Sequence, residues 1–299
     1  MFRLVHISDI HLGPLPRLTA RELTSKRITG YVNWHRNRRK RMFGNILETL
    51  VGTIKTAEPD HIAITGDLVN LAARAEIDTV AAWLKTIGRP EGVSVVPGNH
   101  DAYVPGALKL ICDAWQPFMR GDEDTVSAGA GSLFPYFRRR QNIALIGLST
   151  ALATPPFMAS GLFDRHQGER LRDILMRTQR DGLFRVVMIH HPPVRGATTA
   201  HKRMLGIGRF GRILRDHGAE LVIHGHTHLD TLYRLDGKTG TVPVVGVPAA
   251  GEGRGGRRPP SGYNLFTIDG RPGEWLCRLE RHGLDETGDK FEILSSQKL

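Results

Sequence analysis

Five short polar motifs follow one another along this chain, and each comes directly after a run of apolar residues. They are, in order, Asp9-Ile10-His11, Gly66-Asp67, Gly98-Asn99-His100-Asp101, His190-His191 and Gly225-His226-Thr227-His228. Polar residues that follow the strands of an open α/β sheet gather beyond the carboxyl ends, where ligands bind. Carboxylates and imidazoles without thiolates are ligands for divalent metal ions. The motifs therefore predict one metal site that draws on most of the chain.

The apolar runs alternate with helical patterns over the first two thirds of the chain. Strands are predicted at 3–7, 61–65, 94–96, 143–148, 185–189 and 220–223. Helices are predicted over 46–54 and 80–87, and near 105–118, 166–179 and 207–217. A later set at 231–235, 242–247, 263–268 and 274–281 lacks intervening helices and is predicted to form antiparallel strands. This pattern indicates a layered α/β sandwich with helices on both sides.

The chain has 299 residues, and the candidate ligands span positions 9 to 228 of it. This span predicts one catalytic domain over 1–270, with a basic insertion or cap at 14–45, and a C-terminal strand and tail at 271–299 packed on the same domain. Cys112 and Cys277 lie in no motif, which favours a reducing compartment. The first motif comes too early for a signal peptide, and we expect a cytoplasmic protein.

Positive charge is concentrated in a few places. Lys plus Arg total 41 against 30 Asp plus Glu, a formal net charge of +11. The stretch 26–41 contains no acid, and smaller clusters lie at Arg138-Arg139-Arg140 and around 254–258. Such a field attracts anions, whether nucleic acid, acidic lipid head groups or phosphate esters. A solvated basic face is the alternative interpretation.

The series of motifs resembles the calcineurin-like metallophosphoesterase superfamily, whose signature is Asp-x-His, Gly-Asp, Gly-Asn-His-(Asp/Glu), His and Gly-His-x-His. The match covers residues 4–230 and is complete at every ligand position. The resemblance implies an α-β-β-α sandwich of mixed sheets with helices on both outer faces. The implied ligands are Asp9, His11 and His228 for one metal ion, Asn99, His190 and His226 for the other, and Asp67 as the bridge. His191 is interpreted as a neighbour, because the family pattern uses the first His of the pair.

Within the superfamily, the segments 8–13 and 190–193 are most similar to a bacterial phosphodiesterase branch. That branch includes hydrolases of cyclic nucleotides, glycerophosphodiesters and nucleotide-linked lipids. The resemblance implies two divalent metal ions, Mn, Fe or Zn with Co as a further choice. It also implies in-line attack on phosphorus by a metal-bridging hydroxide. A phosphomonoesterase and a DNA or RNA nuclease of the same superfamily are the alternatives.

The residue types point to the same chemistry independently of the resemblance. Two metal ions roughly 3.5–4 Å apart can activate water and clamp the oxygens of a phosphate ester. Asp9 and Asp67 would cancel two of the four positive charges, a bridging hydroxide one more, and the neutral Asn99 none. The site would then be near +1, which suits a monoanionic diester. His100 is the candidate general acid for the leaving oxygen. Asp101 is expected to orient its imidazole.

Two further predictions concern substrate and partners. Arg195 and His201, which follow the His-His-Pro-Pro turn, are candidate substrate contacts. The segment 26–43 mixes bases with Tyr31 and Trp34, and it could contact an anionic membrane peripherally, at the inner face, or cap the metal site. A small phosphodiester or a lipid head group is ranked above nucleic acid as substrate, because no nucleic-acid-binding module is recognised.

Overall fold

Two six-stranded mixed sheets pack against each other, and helices cover their outer faces. This computed structural model describes residues 1–38, 45–123 and 133–299. The strands are β1 (Phe2–Ile7), β2 (His61–Ile64), β3 (Val93–Val95), β4 (Tyr136–Arg140), β5 (Ile143–Gly147), β6 (Gly161–Leu162), β7 (Phe184–Ile189), β8 (Met204–Leu205), β9 (Leu221–His224), β10 (Leu232–Asp236), β11 (Thr241–Gly246), β12 (Gly262–Asp269), β13 (Leu276–Leu284) and β14 (Phe291–Lys298). The helices are α1 (Ala20–Leu23), α2 (Arg27–Asn33), α3 (Ile46–Thr56), α4 (Arg74–Ile87), α5 (Ala107–Met119), α6 (Arg165–Arg180) and α7 (Ile207–His217). Short helical turns of other types lie at Trp34–Arg38, Pro90–Gly92 and Ala200–Lys202.

The first sheet has the strand order β14-β13-β12-β1-β2-β3. Its strands β1, β2 and β3 are parallel, while β12 pairs antiparallel with β1 and leads into β13 and β14. Val5 of β1 lies opposite Ile62 on one side and Leu265 on the other. The edge strand β14 is largely exposed, so it lacks the apolar run by which the interior strands could be predicted.

The second sheet has the order β10-β11-β9-β7-β5-β4. The strands β5, β7, β9 and β11 are parallel, and β4 and β10 form antiparallel edges. The expectation that 242–247 belongs to a purely antiparallel set is wrong, because Val245 of β11 pairs in parallel with Ile223 of β9. The chain turns after β10 and returns between β10 and β9, and an apolar pattern does not specify which neighbour a strand takes.

The two faces of the second sheet pack against different layers. In β7, Val186 and Met188 belong to the core shared with the first sheet, whereas Val187 and Ile189 pack with residues of α6 and α7. Residues of α3, α4 and α5 pack with the first sheet, as Trp115 of α5 illustrates. Each fully buried apolar side chain contributes about 1.5–3 kcal/mol through removal from water. The predicted α/β sandwich of mixed sheets with helices on both outer faces is confirmed.

One member of the basic cluster in β4 is a structural residue. Arg138 is 3% exposed, so its charge does not contribute to a surface that attracts anions. Its guanidinium donates hydrogen bonds of 2.6–2.7 Å to the carbonyl oxygens of Pro90, Val93, Pro117 and Arg120. These bonds join β4 to the start of β3 and to the end of α5.

We expect Arg138→Met to lower the free energy of unfolding by about 2–5 kcal/mol, because each buried carbonyl left without a donor costs about 1–3 kcal/mol. Urea-induced unfolding followed by circular dichroism measures this change. The neighbouring Arg139 is exposed, and Arg139→Met should change the stability by less than about 0.5 kcal/mol. Equal effects of the two substitutions would contradict a structural role specific to Arg138.

Candidate metal centre

The five motifs meet at one rim of the sandwich because they follow parallel neighbouring strands. Three follow β1, β2 and β3 of the first sheet, and two follow β7 and β9 of the second. The Asp9 N–H donates to the Gly66 carbonyl at 2.9 Å, and the Gly225 N–H donates to the His190 carbonyl at 3.1 Å. A third bond crosses between the sheets, from the His226 N–H to Oδ2 of Asp9 at 2.9 Å.

The backbone turns sharply where the ligand residues begin. Five candidate ligands have left-handed backbone with φ between 45° and 68°: Asp9, His11, Asp67, His226 and His228. The chain from Asp9 to His11 is therefore not extended, although both side chains lie in one group. Left-handed backbone costs a non-glycine residue of order 1–3 kcal/mol, and such strain is concentrated at functional sites.

Two glycines of the motifs are required by close contacts. A Cβ atom at Gly98 would collide with Oδ1 of Asp67, and one at Gly225 would collide with Oγ of Ser8. Both glycines therefore allow one strand end to approach the side chains of another, which brings the ligand residues within reach of each other.

The first ligand group contains Asp9, His11 and His228, whose nearest ligand atoms lie within 4.8 Å of one another. Nε2 of His228 is 3.0 Å from Oδ1 of Asp9. Nδ1 of His11 donates to the Val69 carbonyl at 3.1 Å, which directs the Nε2 lone pair toward the group. Burial opposes ionisation of Asp9, but the His228 imidazole holds the pKa of that carboxyl well below its usual range.

The second group is built from His190, His226 and Asn99. Nε2 of His190 is 3.2 Å from Oδ1 of Asn99, and its Nδ1 donates to the Thr65 carbonyl at 2.6 Å. Nε2 of His226 donates to the Lys202 carbonyl at 3.0 Å, which leaves Nδ1 as the nitrogen with a lone pair. Two imidazole nitrogens and an amide oxygen could therefore hold a second ion.

Asp67 joins the two groups. Its Oδ2 is 3.9 Å from Nε2 of His11 and 3.5 Å from Nε2 of His190, and its Oδ1 accepts the His100 N–H at 2.7 Å. Burial would raise the pKa of Asp67, but the surrounding imidazoles, His190 foremost, lower it well below its usual range. Burial likewise opposes protonation of His190, yet Asp67 raises the pKa of that imidazole to about 9.

These residues fit a divalent metal centre. The donors are carboxylate, imidazole and amide groups, a mixture that suits first-row transition metals. In the part of the chain that the structure describes, the buried Nδ1 of His228 has no hydrogen-bond partner, and the buried Oδ1 of Asp9 has only the His228 imidazole beside it. Buried polar atoms left in this state are costly unless a ligand satisfies them.

His191 lies beside the second group with both ring nitrogens engaged. Nδ1 accepts the Thr150 hydroxyl at 2.7 Å, and Nε2 donates to the Ala159 carbonyl at 3.1 Å. Burial lowers the pKa of His191 to about 3, so the ring is neutral. Although His191 lies within ligand distance of His190 and His226, these bonds favour its interpretation as a neighbour rather than a ligand.

The Asp101 carboxylate accepts hydrogen bonds from backbone N–H groups rather than from a side chain. Its carboxylate accepts hydrogen bonds of 2.8–3.1 Å from the backbone N–H groups of Asp67, Leu68, Val69 and Gly98. Burial and the Asp67 charge raise the pKa of Asp101 to about 7, while the N–H donors lower it. Because all four partners are donors, the ionised form is the one that the surrounding backbone matches.

His100 is oriented by a different residue from the one expected. Its Nδ1 donates to the Asn70 carbonyl at 2.6 Å, its ring stacks on Tyr103 with centroids 5.4 Å apart, and it meets the His11 ring edge-on at 4.7 Å. The prediction that Asp101 orients this imidazole is therefore wrong. The Asn70 backbone carbonyl orients the ring instead. A backbone carbonyl is present in every residue, so a sequence pattern cannot identify this partner.

A cavity of about 370 Å³ opens beside His100 and Asn99. It is also lined by Lys26, Trp34, Tyr103, Phe157, Met158 and Lys202. Arg195 and His201 are exposed and are not among its lining residues, so the structure does not bring these two candidate contacts to the cavity. A larger cavity of about 540 Å³ beside α3 and Trp83 is lined by none of the candidate ligands.

The described part of the basic segment packs along the edge of this cavity. Arg27 donates to the carbonyl oxygens of Leu71 and Ala72 at 3.0 and 2.8 Å. Residues 39–44 of the predicted cap, which include the end of the predicted membrane contact, lie outside the described residues. The cap and the membrane contact both stay predictions. Within the described ranges, no helix combines the length and apolarity needed to cross a bilayer.

Comparison with known proteins gives three findings. The family model described as calcineurin-like phosphoesterase matches residues 2–230. The chain is 25% identical over 246 residues to a protein of Synechococcus named "Probable cyclic nucleotide phosphodiesterase", covering 80% of this chain and 83% of the relative. Two solved structures share the fold. A dimetal phosphatase from Danio rerio has a TM-score of 0.60 at 14% identity, with 98% of each chain covered.

The second solved structure is a purple acid phosphatase from yellow lupin, with a TM-score of 0.57 at 11% identity. The match covers 99% of this chain and 53% of the phosphatase chain. At these identities the likeness concerns the fold alone. The family model, in contrast, spans all five motifs and both ligand groups. The chain therefore belongs to the calcineurin-like phosphoesterase family.

Proposed function

We propose that this protein is a phosphodiesterase that depends on a dinuclear metal centre. The observation that carries the proposal is the position of Asp67 Oδ2 between the imidazoles of His11 and His190, where a carboxylate can bridge two ions. The proposed ligands are Asp9, His11 and His228 at one ion, Asn99, His190 and His226 at the other, and Asp67 at both. When bound, two divalent ions lower the pKa of water and neutralise charge on the phosphate.

The protein's own contribution to such a centre is to orient the ligands. The Val69, Thr65 and Lys202 carbonyls accept the N–H of three ligand imidazoles. Each bond holds the proton on one nitrogen, so that the second nitrogen can offer its lone pair to an ion. His190, whose pKa is raised to about 9, would release its second proton on binding the ion. The ions would be Mn, Fe, Zn or Co, since imidazole and oxygen ligands without thiolate suit these metals.

His100 is proposed to handle the proton of the leaving group. Because Nδ1 donates to the Asn70 carbonyl, Nε2 is the nitrogen that can hold or release a proton beside the cavity. Its stacking on Tyr103 fixes the plane of the ring. Protonation of the departing oxygen by a placed imidazole is general acid catalysis.

Charge supports a diester over a monoester. Asp9 and Asp67 neutralise only two of the four charges of two divalent ions, and Asn99 neutralises none. A hydroxide nucleophile would bring one further negative charge and leave the centre near +1, which suits a monoanionic substrate. The name of the Synechococcus relative supports the same class. We propose a cyclic nucleotide, a glycerophosphodiester or a nucleotide-linked lipid as the natural substrate.

The test of this proposal compares two chromogenic substrates. We expect metal-stripped protein to be inactive and protein supplied with Mn²⁺ to hydrolyse bis(p-nitrophenyl) phosphate faster than p-nitrophenyl phosphate. Release of p-nitrophenol measures both rates. Faster cleavage of the monoester would redirect the proposal to a phosphomonoesterase, and metal-independent cleavage would refute the metal centre.

Asp67→Ala should lose metal and activity together, because one carboxylate serves both ions. Substituting a residue that only supports a metal ligand typically reduces metal affinity or activity 10–100-fold. Asp67 is itself a proposed ligand, so we expect activity to fall by more than about 100-fold. Atomic absorption and diester hydrolysis give the two readings. Asp113→Ala, at an exposed carboxylate on α5, is the control and should change neither. Full metal content in Asp67→Ala would contradict the bridging role.

His100→Ala should keep both metal ions and lower kcat by about 10²–10⁴-fold, the usual range for general acid–base catalysis. The exposed His201 provides the matched control, and His201→Ala should retain kcat. Loss of metal from His100→Ala would assign this imidazole to the ligands instead. A raised KM in His201→Ala would restore the expectation that His201 contacts substrate.

A further inference from the structure

The cavity beside His100 is bounded by two segments that are far apart in the sequence. One wall is α2 with Lys26 before it and Trp34 after it, and the other is the segment 154–159. Tyr103, which stacks on His100, lies between them. Aromatic rings, a thioether and several polar groups therefore line a space that also includes Asn99, one of the proposed ligands.

Phe157 is the least expected residue of this lining. The residue is 85% exposed and its backbone is left-handed with φ of 66°. A bulky residue in that region costs of order 1–3 kcal/mol, and it persists where the surroundings impose the conformation. Here the turn is closed by the Met158 N–H, which donates to the Pro155 carbonyl at 3.2 Å, and by the Thr154 hydroxyl, which donates to the Met158 carbonyl at 2.6 Å.

Lys26 ties the two walls together. Its Nζ donates to Oγ1 of Thr154 at 2.8 Å and to the Met158 carbonyl at 3.1 Å. The same ammonium lies 4.7 Å from the centroid of the Tyr103 ring, within the range of a cation–π interaction. A half-buried ammonium with these three partners sets the distance between α2 and the segment 154–159.

The second wall is also connected to the metal centre. The Ala159 carbonyl accepts the His191 Nε2–H at 3.1 Å, and the Ala159 N–H donates to the His201 carbonyl at 2.9 Å. Because His191 is the chain neighbour of His190, these bonds fix the position of Ala159 relative to His190. A group attached to a phosphate at the metal centre would meet this wall at a defined distance.

We propose that this cavity binds an aromatic or apolar substituent of the phosphate ester, and that Lys26 holds its walls at the required width. The inference rests on the proposed function, because it takes the phosphate to lie at the metal centre. The volume of about 370 Å³ falls at the lower end of small-molecule sites, which are mostly apolar with a few placed polar groups. Phe157 covers the substituent from the solvent side.

The test measures binding of two phosphonates that differ only in their substituent. Calorimetric titration of the Mn²⁺-loaded protein should show phenylphosphonate binding about 10–100-fold more tightly than methylphosphonate, as expected for burial of one aromatic ring. In Phe157→Ala and Lys26→Met, this ratio should fall several-fold because the affinity for phenylphosphonate decreases. Met176→Ala, at an exposed apolar residue of α6, should keep the ratio of the unmodified protein.

Phe157 is exposed, so Phe157→Ala tests the cavity without loss of the fold. Metal content and thermal unfolding are recorded for Lys26→Met. Equal affinity for the two phosphonates in the unmodified protein would overturn the inference, as would an unchanged ratio in both variants. If diesters are hydrolysed with Mn²⁺ while the phosphonates bind equally, only the cavity assignment is wrong. If neither hydrolysis nor phosphonate binding occurs, the proposed function is wrong as well.

Discussion

The carboxylate of Asp101 is the interaction on which the geometry of the metal centre depends. It accepts four backbone N–H groups from the turns after β2 and β3. A buried carboxylate is tolerated only where charge or donors compensate its desolvation, and here the donors are backbone N–H groups of the turns that carry the ligand residues. The turns that carry Asp67 and Asn99 are therefore held together by one side chain that belongs to none of the candidate ligand groups among the described residues.

Two further bonds extend this arrangement across the sandwich. Asp9 accepts the His226 N–H, and His190 donates to the Thr65 carbonyl, so each sheet fixes ligands supplied by the other. The left-handed backbone at five ligand residues is strain that these bonds and the packed strands maintain. The ligand side chains of such a centre are held in place before a substrate binds, so the substrate can be oriented without further rearrangement.

The cavity at the edge of the metal centre is held together by a different kind of contact. Here backbone carbonyls and two basic side chains join segments from distant parts of the chain. Arg27 and Lys26, read from the sequence as part of an anion-attracting or membrane-binding stretch, bind the carbonyls of Leu71, Ala72 and Met158. Arg138 likewise binds carbonyls inside the fold. Local positive charge in a sequence therefore need not indicate an anionic partner.

The sequence by itself determined the fold class, the strands that carry the motifs, and the side chains that gather at the rim. These follow from apolar periodicity and from residue types whose chemistry is distinctive, as Asp9, Asp67 and His190 are. Only the tertiary structure decided that β11 runs parallel to β9, that Asn70 rather than Asp101 orients His100, and that the segment 154–159 faces α2. These choices depend on backbone N–H and C=O groups, which are the same in every residue except the N–H of proline. A pattern of side chains cannot specify which of these identical groups becomes a partner, since that depends on where packing brings the chain.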